Sequence, residues 1–447
     1  MQKRKILKPK PISGFPEYTP EIRRAELRWI DTIRQTFERF GYVNIETPSV
    51  EEVETLAAKG GDVDKEIYGL QRLNAEGEDK GARLALHFDL TVPTARYVAQ
   101  HFNKLTFPFK RYQIQRVWRG ERPQEGRFRE FLQCDVDVID QDEISHDFDA
   151  EIPLIALRAL NAVRAGPVRF MLNNRKILVG FYEGLGIENA GDVIRVVDKI
   201  DKLPVEEIER SLVEDLGLPE KSAKACLALA QICSRDNSFA TAARKLGVEN
   251  ALFEEGLAEL TTVMDRLNAA DLGESVVEAN LAIARGLDYY TGVVYEVQLI
   301  DYPEYSTICA GGRYADLVGA YIKRDLPGVG ISIGLTRLFA KLVKEGVITG
   351  ERASPTDVLI ARPEQSDAIK LDQLANMMRQ RGINVEVFHR EASLDKQRKY
   401  ALKKGIRYLW LQFGHATAGE HEVEDLDARL APQLANPANW LPARLKR

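Results

Sequence analysis

Apolar and polar residues alternate along residues 110–119 and again along residues 128–138, on either side of a short turn rich in Arg and Glu. On the second arm Cys134 and Val136 are separated by Asp135, and Asp137 follows. Such alternation is typical of strands with one packed face and one polar face. The pattern therefore predicts a long β-hairpin.

Two segments that precede the hairpin predict a helix followed by a strand. Residues 20–40 repeat apolar positions at helical spacing, with Thr19 available as a cap and Gly41 as a stop. Residues 42–48 alternate and end at Pro48, which predicts a strand at an edge or an interface. We expect an amphipathic helix that runs directly into this strand.

Residues 83–101 predict a strand that gives way to a helix near Pro93, because proline is tolerated in the first turn of a helix. Asp89 and Thr91 then lie at a strand end that faces a helix start. Polar side chains at such a junction either bind ligands or cap the helix. The local pattern favours the cap.

The composition and the pattern of the rest of the chain change twice. Between residues 174 and 272 Ala, Leu, Glu and Lys dominate, with Gly and Pro breaks, which predicts a helical insertion. A linker follows at residues 349–355, and strand and helix patterns then alternate, as in an α/β domain with largely parallel strands. We therefore predict a core (1–173 and 273–346), a helical insertion (174–272) and a C-terminal α/β domain (355–447).

Length and charge narrow the functional classes. A chain of 447 residues exceeds what one hydrophobic core usually holds, so two or three domains are expected. A net charge of -5 argues against a uniformly basic surface that coats nucleic acid, but it is compatible with a local basic footprint.

Cysteine spacing and hydropathy indicate the compartment. The four cysteines have no close pair and no neighbouring His at metal-ligand spacing, which argues against a zinc site and a disulfide framework. No apolar run approaches the roughly 18 residues that cross a bilayer. The basic N-terminus has no apolar block that would mark a secretory signal. These features predict a soluble cytoplasmic protein.

Two groups of cations are candidates for phosphate binding. The first arm of the hairpin carries Arg111, Arg116 and Arg119, whose planar guanidinium groups can each present paired donors to two oxygens. Residues 396–407 carry six positive charges and no acid, which favours a surface that binds a phosphate backbone. For both groups the alternative is a solvated charged face with ion pairs.

Three downstream segments complete the pattern: RGLDYYTG at residues 285–292, AGGRY at residues 310–314 and GVGISIGLTR at residues 328–337. Together with the hairpin they resemble the histidyl-tRNA synthetase family. The hairpin is similar to its second class II motif, the next two segments to its histidine-specific motifs, and the last to its third class II motif. The passage from Phe40 to Pro48 is similar to the first class II motif.

The resemblance implies a fold and an activity. The fold is α+β, with the class II synthetase antiparallel sheet flanked by helices, a helical insertion, and a C-terminal α/β domain of the anticodon-binding type. The activity is histidine–tRNA ligation, in which ATP and L-histidine give histidyl-adenylate and pyrophosphate, and histidine then passes to the 3′ end of tRNA-His. Mg²⁺ would accompany ATP, no metal-ligating residue is assigned, and a homodimer would form through the first helix and strand.

The resemblance also implies residue roles. The catalytic cations are Arg119 and Arg285. The nucleotide-binding residues are Arg119, Glu121, Arg127 and Arg337. The histidine-binding residues are Asp89, Thr91, Gln133, Asp137, Arg285, Tyr290 and Tyr314. The tRNA-binding residues are Gln124, Lys396, Arg398, Lys399 and Lys403.

Two departures from the family pattern and two rival functions accompany this interpretation. Glu125 stands where many bacterial relatives carry a basic residue, and His87-Phe88 replaces the more frequent Arg-Pro. One rival is the catalytically inactive, histidine-sensing regulatory subunit of ATP phosphoribosyltransferase, which generally lacks the C-terminal domain and the RGLDYY arginine. The other is a synthetase-like RNA sensor attached to another activity, for which no further domain is visible. The residues after Gly419 fit the family's usual ending poorly.

Overall fold

The computed structural model describes residues 8–57, 66–73, 83–200, 203–284, 290–315, 318–319, 321–411, 421–428 and 431–445. The chain divides into two compact units, one of Met1–Glu17 and Trp29–Val347 and the other of Tyr18–Arg28 and Ile348–Arg447.

The strands are β1 (Val43–Asn44), β2 (Val50–Glu52), β3 (Gly69–Leu70), β4 (Leu84–Leu86), β5 (Phe109–Trp118), β6 (Glu130–Ile139), β7 (Val168–Asn174), β8 (Cys233–Ser234), β9 (Val276–Asn280), β10 (Tyr290–Leu299), β11 (Cys309–Tyr314), β12 (Gly328–Gly334), β13 (Val358–Ile360), β14 (Val385–Val387), β15 (Tyr408–Leu411), β16 (His421–Asp425) and β17 (Gln433–Ala435). The α-helices are α1 (Pro20–Arg39), α2 (Val53–Ala57), α3 (Thr91–His101), α4 (Asp147–Ala162), α5 (Arg175–Gly184), α6 (Ala190–Val197), α7 (Val205–Arg210), α8 (Glu220–Ala230), α9 (Ser238–Arg244), α10 (Ala251–Asn268), α11 (Leu335–Lys344), α12 (Ala368–Gln380) and α13 (Leu394–Lys404). Within these described residues no helix is both long and apolar enough to cross a membrane.

A nine-stranded sheet forms the centre of the first unit, in the order β1-β5-β6-β12-β11-β10-β7-β9-β8. Neighbouring strands are antiparallel except at β1/β5 and β7/β9. The predicted hairpin is present as β5 and β6, which pair in register from Phe109↔Ile139 to Trp118↔Glu130. The sheet has the mainly antiparallel, helix-flanked organisation that the α+β prediction requires.

Both faces of β6 are covered, which removes the solvated-hairpin alternative for this arm. Cys134, Val136 and Val138 are fully buried on the apolar face. On the polar face Asp135 and Asp137 are only 5% and 7% exposed. Buried carboxylates are costly unless they have partners, so this face is part of a site rather than an ordinary surface.

The edge strand β1 is shorter than predicted. Its ladder with β5 is limited to Val43 and Asn44, whereas alternation predicted a strand through residue 48. One further backbone hydrogen bond joins Ile45 N to the Tyr112 carbonyl at 3.0 Å. Side chains of β5 then take the place of backbone pairing, because Gln115 Nε2 donates to the Thr47 carbonyl at 2.8 Å and Gln113 Nε2 donates to the Thr47 hydroxyl at 2.9 Å.

Helices fill most of the segment predicted to be a helical insertion. The helices α5 and α10 approach closely because glycine lies at their contact: a Cβ on Gly180 would be 2.3 Å from the backbone nitrogen of Phe253. Asn174 and Asn250 cap these two helices through their side-chain oxygens.

The second unit contains a five-stranded sheet in the order β14-β13-β15-β16-β17. Its first three strands are parallel, as the alternation of strand and helix patterns predicted. The last two strands are antiparallel additions from the C-terminal tail, which the sequence patterns did not predict. Trp410 is buried in this core against Trp440 of the tail, with ring centroids 5.3 Å apart.

Candidate active site

A cleft lined by arginines opens beside the turn of the hairpin, and its cavity volume is about 160 Å³. We call it the arginine cleft. Its walls come from the hairpin turn, β6, β11, β12 and the first turn of α11. The predicted residues that line it are Arg119, Glu121, Arg127, Gln133 and Arg337. Three guanidinium groups around one cavity can bind several phosphate oxygens at once.

Arg119 is held in place by backbone and ring contacts. Its Nε donates to the carbonyl of Phe88 at 3.0 Å, and its guanidinium carbon lies 5.2 Å from the centroid of the Phe131 ring. About a third of its side chain, 31%, remains exposed.

Arg337 is fixed more tightly, in the first turn of α11. Its Nε donates to the Gly126 carbonyl and one of its terminal nitrogens donates to the Thr307 carbonyl, each at 2.6 Å. Burial is the main cause that lowers its pKa. A cation at a helix N-terminus is unfavourable unless an anion accompanies it, so this position is suited to a bound phosphate.

The turn that presents these groups depends on glycine. Gly126 has a φ of +74°, and a Cβ at this position would be 2.9 Å from the Tyr305 hydroxyl. That hydroxyl donates to the Arg337 carbonyl at 2.9 Å. The turn and the start of α11 are therefore locked together.

Carboxylates accompany the cations of the cleft. Arg127 donates to Glu121 at 3.3 Å. Glu66, which the sequence did not single out, lies beside them, because its carbonyl accepts from Gly120 N at 2.7 Å. Burial and then the Glu121 charge raise the pKa of Glu66. No motif surrounds Glu66 in the sequence, so only the fold could reveal its position.

A smaller cavity, which we call the polar slot, continues from the arginine cleft. Four predicted residues line it: Thr91, Asp137, Tyr290 and Tyr314. Ala310 and Ser332 line both cavities, so the two are neighbours. Asp135 also lines the slot.

The slot is open because glycine occupies two positions in its wall. A Cβ on Gly330 would be 2.0 Å from Asp137 Oδ1, and one on Gly312 would be 2.9 Å from the Tyr290 ring. Side chains at these two positions would fill the space that a ligand needs.

A buried ion pair forms one wall of the slot. An Arg111 terminal nitrogen lies 2.7 Å from Asp137 Oδ2, and the Tyr314 hydroxyl donates to Asp137 Oδ1 at 3.2 Å. Burial, followed by the Asp137 charge, raises the pKa of Tyr314 well above its ordinary value, so this hydroxyl stays a donor. The sequence placed Arg111 on the hairpin but did not assign it to the site. The register of the hairpin, which pairs Arg111 with Asp137, is the feature that reveals it.

Asp89 lines neither cavity, although its charge acts on Asp135 of the polar slot. Asp89 Oδ1 accepts from Val92 N at 3.1 Å at the start of α3, which matches the cap that the local pattern favoured. Arg285 and the four residues after it fall outside the described residues. The neighbour of Tyr314 in the AGGRY segment, Arg313, is a structural residue, since it binds Asp149 at 2.8 Å.

The hairpin turn is also tied to α11. Gln124 and Arg127 exchange backbone hydrogen bonds of 3.3 and 2.9 Å across the turn. Glu125, which departs from the family pattern, accepts from Lys344 at 2.7 Å, and this bond is the main cause that lowers its pKa. The carboxylate therefore fastens the turn.

The basic residues of α13 fall into two groups. Arg398 pairs with Glu424 at 2.8 Å and also contacts Asp395, so an acid from outside the predicted patch partly neutralises it. Lys396, Lys399 and Lys403 are exposed and make no ion pair within the part of the chain that the structure describes. Their spacing of three and four residues places them on one helix face.

Comparison with known proteins agrees with this geometry. The family model for histidyl-tRNA synthetase matches residues 14–338. The histidine–tRNA ligase of Thermobifida fusca is 53% identical over 442 residues, which are 98% of this chain and 100% of that protein. The histidine–tRNA ligase of Micrococcus luteus is 43% identical, with 96% of each chain covered.

Solved structures give the same result. The crystal structure of histidyl-tRNA synthetase from Nostoc sp. PCC 7120 is 36% identical, with a TM-score of 0.85 and 97% of each chain covered. An ATP phosphoribosyltransferase regulatory subunit/histidyl-tRNA synthetase from Bacillus halodurans C is 21% identical with a TM-score of 0.72 over 89% of this chain and 97% of that one. At that identity the second likeness supports the fold alone.

Proposed function

The chain belongs to the histidyl-tRNA synthetase family, and on that premise we propose that it is a histidine–tRNA ligase. It activates L-histidine with ATP to give histidyl-adenylate and pyrophosphate. It then transfers histidine to the 3′ end of tRNA-His.

One observation carries this proposal: a cleft lined by three arginines adjoins a slot lined by carboxylates and tyrosines, and the two share Ala310 and Ser332. The first cavity suits the phosphates of a nucleotide. The second suits a small polar cation with an aromatic ring. Adenylate formation requires these two ligands side by side.

The chemistry of activation places charge where the arginines are. The histidine carboxylate attacks the α-phosphorus of ATP, the bond to pyrophosphate breaks, and negative charge builds on the phosphate oxygens. Arg119 holds the α-phosphate and the carboxylate, and Arg337 holds the γ-phosphate. Glu121 and Arg127 contact the nucleotide. Preorganised cations of this kind stabilise the transition state because they need no reorientation when charge develops.

Arg285 is assigned from the sequence alone, as a cation beside the α-phosphate. Its place in the RGLDYYTG segment, five residues before Tyr290 of the slot wall, supports this role.

Magnesium enters as part of the substrate. Among the residues that the structure describes, no group of three or more His, Cys, Asp or Glu side chains is arranged to hold a metal ion. The two carboxylates at the cleft, Glu66 and Glu121, fit a contact with a cation that ATP brings with it. We propose that MgATP is the nucleotide substrate, and that Mg²⁺ supplies charge neutralisation of the phosphates when bound.

Histidine selection follows from the buried polar groups of the slot. A neutral imidazole has one donor and one acceptor. Asp137 accepts from the ring N–H, while Tyr290 and Tyr314 lie around the ring. Thr91 and Gln133 face the amino group. An amino acid without the imidazole has no ring N–H to donate to Asp137, so it loses this hydrogen bond and binds more weakly.

Binding of tRNA uses two separate surfaces. Gln124 in the hairpin turn would contact the acceptor end, and the exposed lysines of α13 would contact the anticodon stem-loop. We further propose that the protein acts in the cytoplasm as a homodimer. The exposed side chains of Leu27 on α1 (47%) and Val43 on β1 (53%) support a dimer contact at the first helix and strand.

Exchange of labelled pyrophosphate into ATP tests the proposed function. The purified protein should catalyse this exchange when L-histidine is added, and other amino acids should not replace it. Arg285→Ala should nearly abolish the exchange. Exchange that fails in the presence of magnesium and histidine would contradict the proposal and favour the regulatory-subunit alternative.

A further inference from the structure

Asp135 is a buried carboxyl in the polar slot to which no role has been given. It is 5% exposed, and its Oδ1 is buried without a hydrogen-bond partner among the described residues. A buried acceptor that finds no partner lowers stability, because its interaction with water is lost and not replaced. Such a group in a ligand slot needs an explanation, and a ligand that donates to it provides one.

The strand β6 places Asp135 between two residues already assigned to histidine. Gln133, Asp135 and Asp137 are two residues apart and therefore share one face of the strand. Gln133 lines the arginine cleft and Asp137 lines the slot, so Asp135 lies where the two cavities meet.

Neighbouring polar groups are already engaged and leave Asp135 available. Across the hairpin from it, the Gln113 amide donates to Thr47 at 2.9 Å and to Gln115 at 2.6 Å. On the other side Ser332 interacts with the Asp135 carboxyl while its Oγ accepts from Gln133 Nε2 at 2.6 Å.

The same hydrogen bond fixes the orientation of Gln133. Because Nε2 is turned to Ser332, Oε1 is the free end of the amide, and it too is buried without a partner in the described structure. Two unsatisfied acceptors, Gln133 Oε1 and Asp135 Oδ1, therefore belong to residues two positions apart on one strand face. An ammonium group, with three donors, satisfies both.

Charge balance also favours a cationic ligand at this point. The charged groups that act on Asp135 are Arg111, which stabilises its ionised form, and Asp137 and Asp89, which oppose it. Arg111 is already paired with Asp137 at 2.7 Å. Among the described residues the slot therefore has more acids than cations, and one bound ammonium group restores part of the balance. A neutral imidazole carries no charge and therefore cannot restore this balance.

We propose that Asp135 and Gln133 together accept hydrogen bonds from the α-ammonium group of bound histidine, so that Asp135 is a further substrate-binding residue of the amino-acid site. This inference rests on the proposed function, since it assumes that histidine occupies the slot. Rotation about the terminal bond of the Asp135 side chain, which is a soft torsion, turns either oxygen toward the ligand.

The test compares two ligands that differ only in the amino group: L-histidine and 3-(imidazol-4-yl)propionate. Binding of each to the full-length protein is measured by calorimetry, for the wild type and for Asp135→Asn. The substitution keeps the shape of the side chain and removes its charge. We expect histidine to bind about 10- to 100-fold more weakly to the variant. We expect the affinity for the propionate to stay the same or to increase.

Several results would overturn the inference. Equal weakening of both ligands would mean that Asp135 shapes the slot or contacts the ring. Unchanged affinity for histidine would mean that its carboxylate makes no contact. A single cooperative urea unfolding transition shows whether the variant is folded. If it is not, Asp135→Ser is measured in the same way, with the same expected and contradicting results. If the wild type itself binds no histidine, the proposed function has failed, which is a separate outcome.

Discussion

Three arginines on the first arm of the hairpin have three different surroundings. Arg111 is buried and paired with Asp137 at 2.7 Å. Arg116 is half exposed, at 49%, and lies 3.1 Å from Glu130. Arg119 lies in the cleft with part of its side chain accessible. A residue type and a spacing therefore do not assign a role, and the partner of each guanidinium group does.

The first prediction separates two of these arginines. Arg119→Ala should lower kcat/KM for histidine-dependent pyrophosphate exchange by about 10²- to 10³-fold, because a preorganised cation at the reacting phosphate is lost. Arg116→Ala is the matched control on the same strand, and it removes only an exposed ion pair, which contributes about 0–1 kcal/mol. Equal losses in the two variants would show that Arg119 has no special position.

Arg313 shows that a residue inside a functional motif can be structural. Its guanidinium group is 10% exposed and donates to Asp149 and to the carbonyls of Ile144 and Ser145. Arg313→Ala should lower the free energy of unfolding in urea by about 3–5 kcal/mol, because it leaves a buried carboxylate without its cation. Arg244→Ala, which breaks an exposed pair with Glu254, should cost less than about 1 kcal/mol. A stable Arg313 variant would contradict this account.

Asp135 should make the stability of the ligand-free protein depend on pH. Burial is the main cause that raises its pKa from an ordinary 3.8 to about 7. A carboxyl whose pKa is raised by folding contributes stability that is present below pH 3.8 and is lost as the pH rises through about 7. Asp135→Asn removes this loss.

The free energy of unfolding of Asp135→Asn, relative to that of the wild type, should therefore rise between pH 4 and pH 7 and level off above. The rise is on the order of 4 kcal/mol at most, at 1.36 kcal/mol for each pKa unit between 3.8 and about 7. Urea unfolding at several pH values measures it. A pH-independent difference would show that Asp135 is not titrating in this range.

At the scale of single elements, some basic residues of α13 pair with acids and others remain exposed. Arg398 is matched to Glu424, and Lys404 pairs with Glu386 at 2.8 Å. The lysines that remain exposed, Lys396, Lys399 and Lys403, form a narrower surface than the sequence pattern predicted. If this surface contacts tRNA, binding releases counterions from the phosphate backbone, so the affinity has to fall as the salt concentration rises.

Substitution of these three lysines by alanine should weaken tRNA binding and lower the slope of log K against log salt, by about 0.7–0.9 for each lysine that contacts a phosphate. Pyrophosphate exchange should not change. The control is Lys370→Ala, which removes an exposed lysine from the neighbouring helix α12. Unchanged tRNA affinity in the triple variant would show that this helix face is only solvated.

Elements with strong local periodicity were predicted well from the sequence. The hairpin, α1, α3 and the alternating strands and helices that begin at Val358 are all present, because their side-chain patterns match the packing they have. The strands β16 and β17 were missed. They are held to the sheet by partners from elsewhere, such as the 2.8 Å bond from Trp410 Nε1 to His421, and local patterns do not encode such contacts.

The site, too, could be predicted only in part, because local sequence patterns do not encode contacts between distant segments. Motif residues that lie on the hairpin or beside it, such as Arg119 and Asp137, could be named from the sequence. Arg111 and Asp135 could not, because their roles depend on which strands are neighbours and in which register. Glu66 has no local pattern at all. Register and long-range adjacency are properties of the whole sheet.

For the molecule as a whole, the division into two compact units affects any experiment that truncates the chain before the C-terminal domain. Residues Tyr18–Arg28 of α1 group with Ile348–Arg447, and Arg28 lies 2.9 Å from Glu351. Truncation near Pro355 would leave this half of α1 without many of its contacts. Point substitutions on α13 therefore separate tRNA binding from activation more cleanly than truncation does.

The central claim is that the arginine cleft and the polar slot together activate histidine. The most direct measurement is the rate of ATP–pyrophosphate exchange with each of the common amino acids, for the wild type and for Arg119→Ala. The account predicts exchange with histidine alone, reduced about 10²-fold or more in the variant. Exchange with several amino acids, absence of exchange, or an unaffected variant would contradict it.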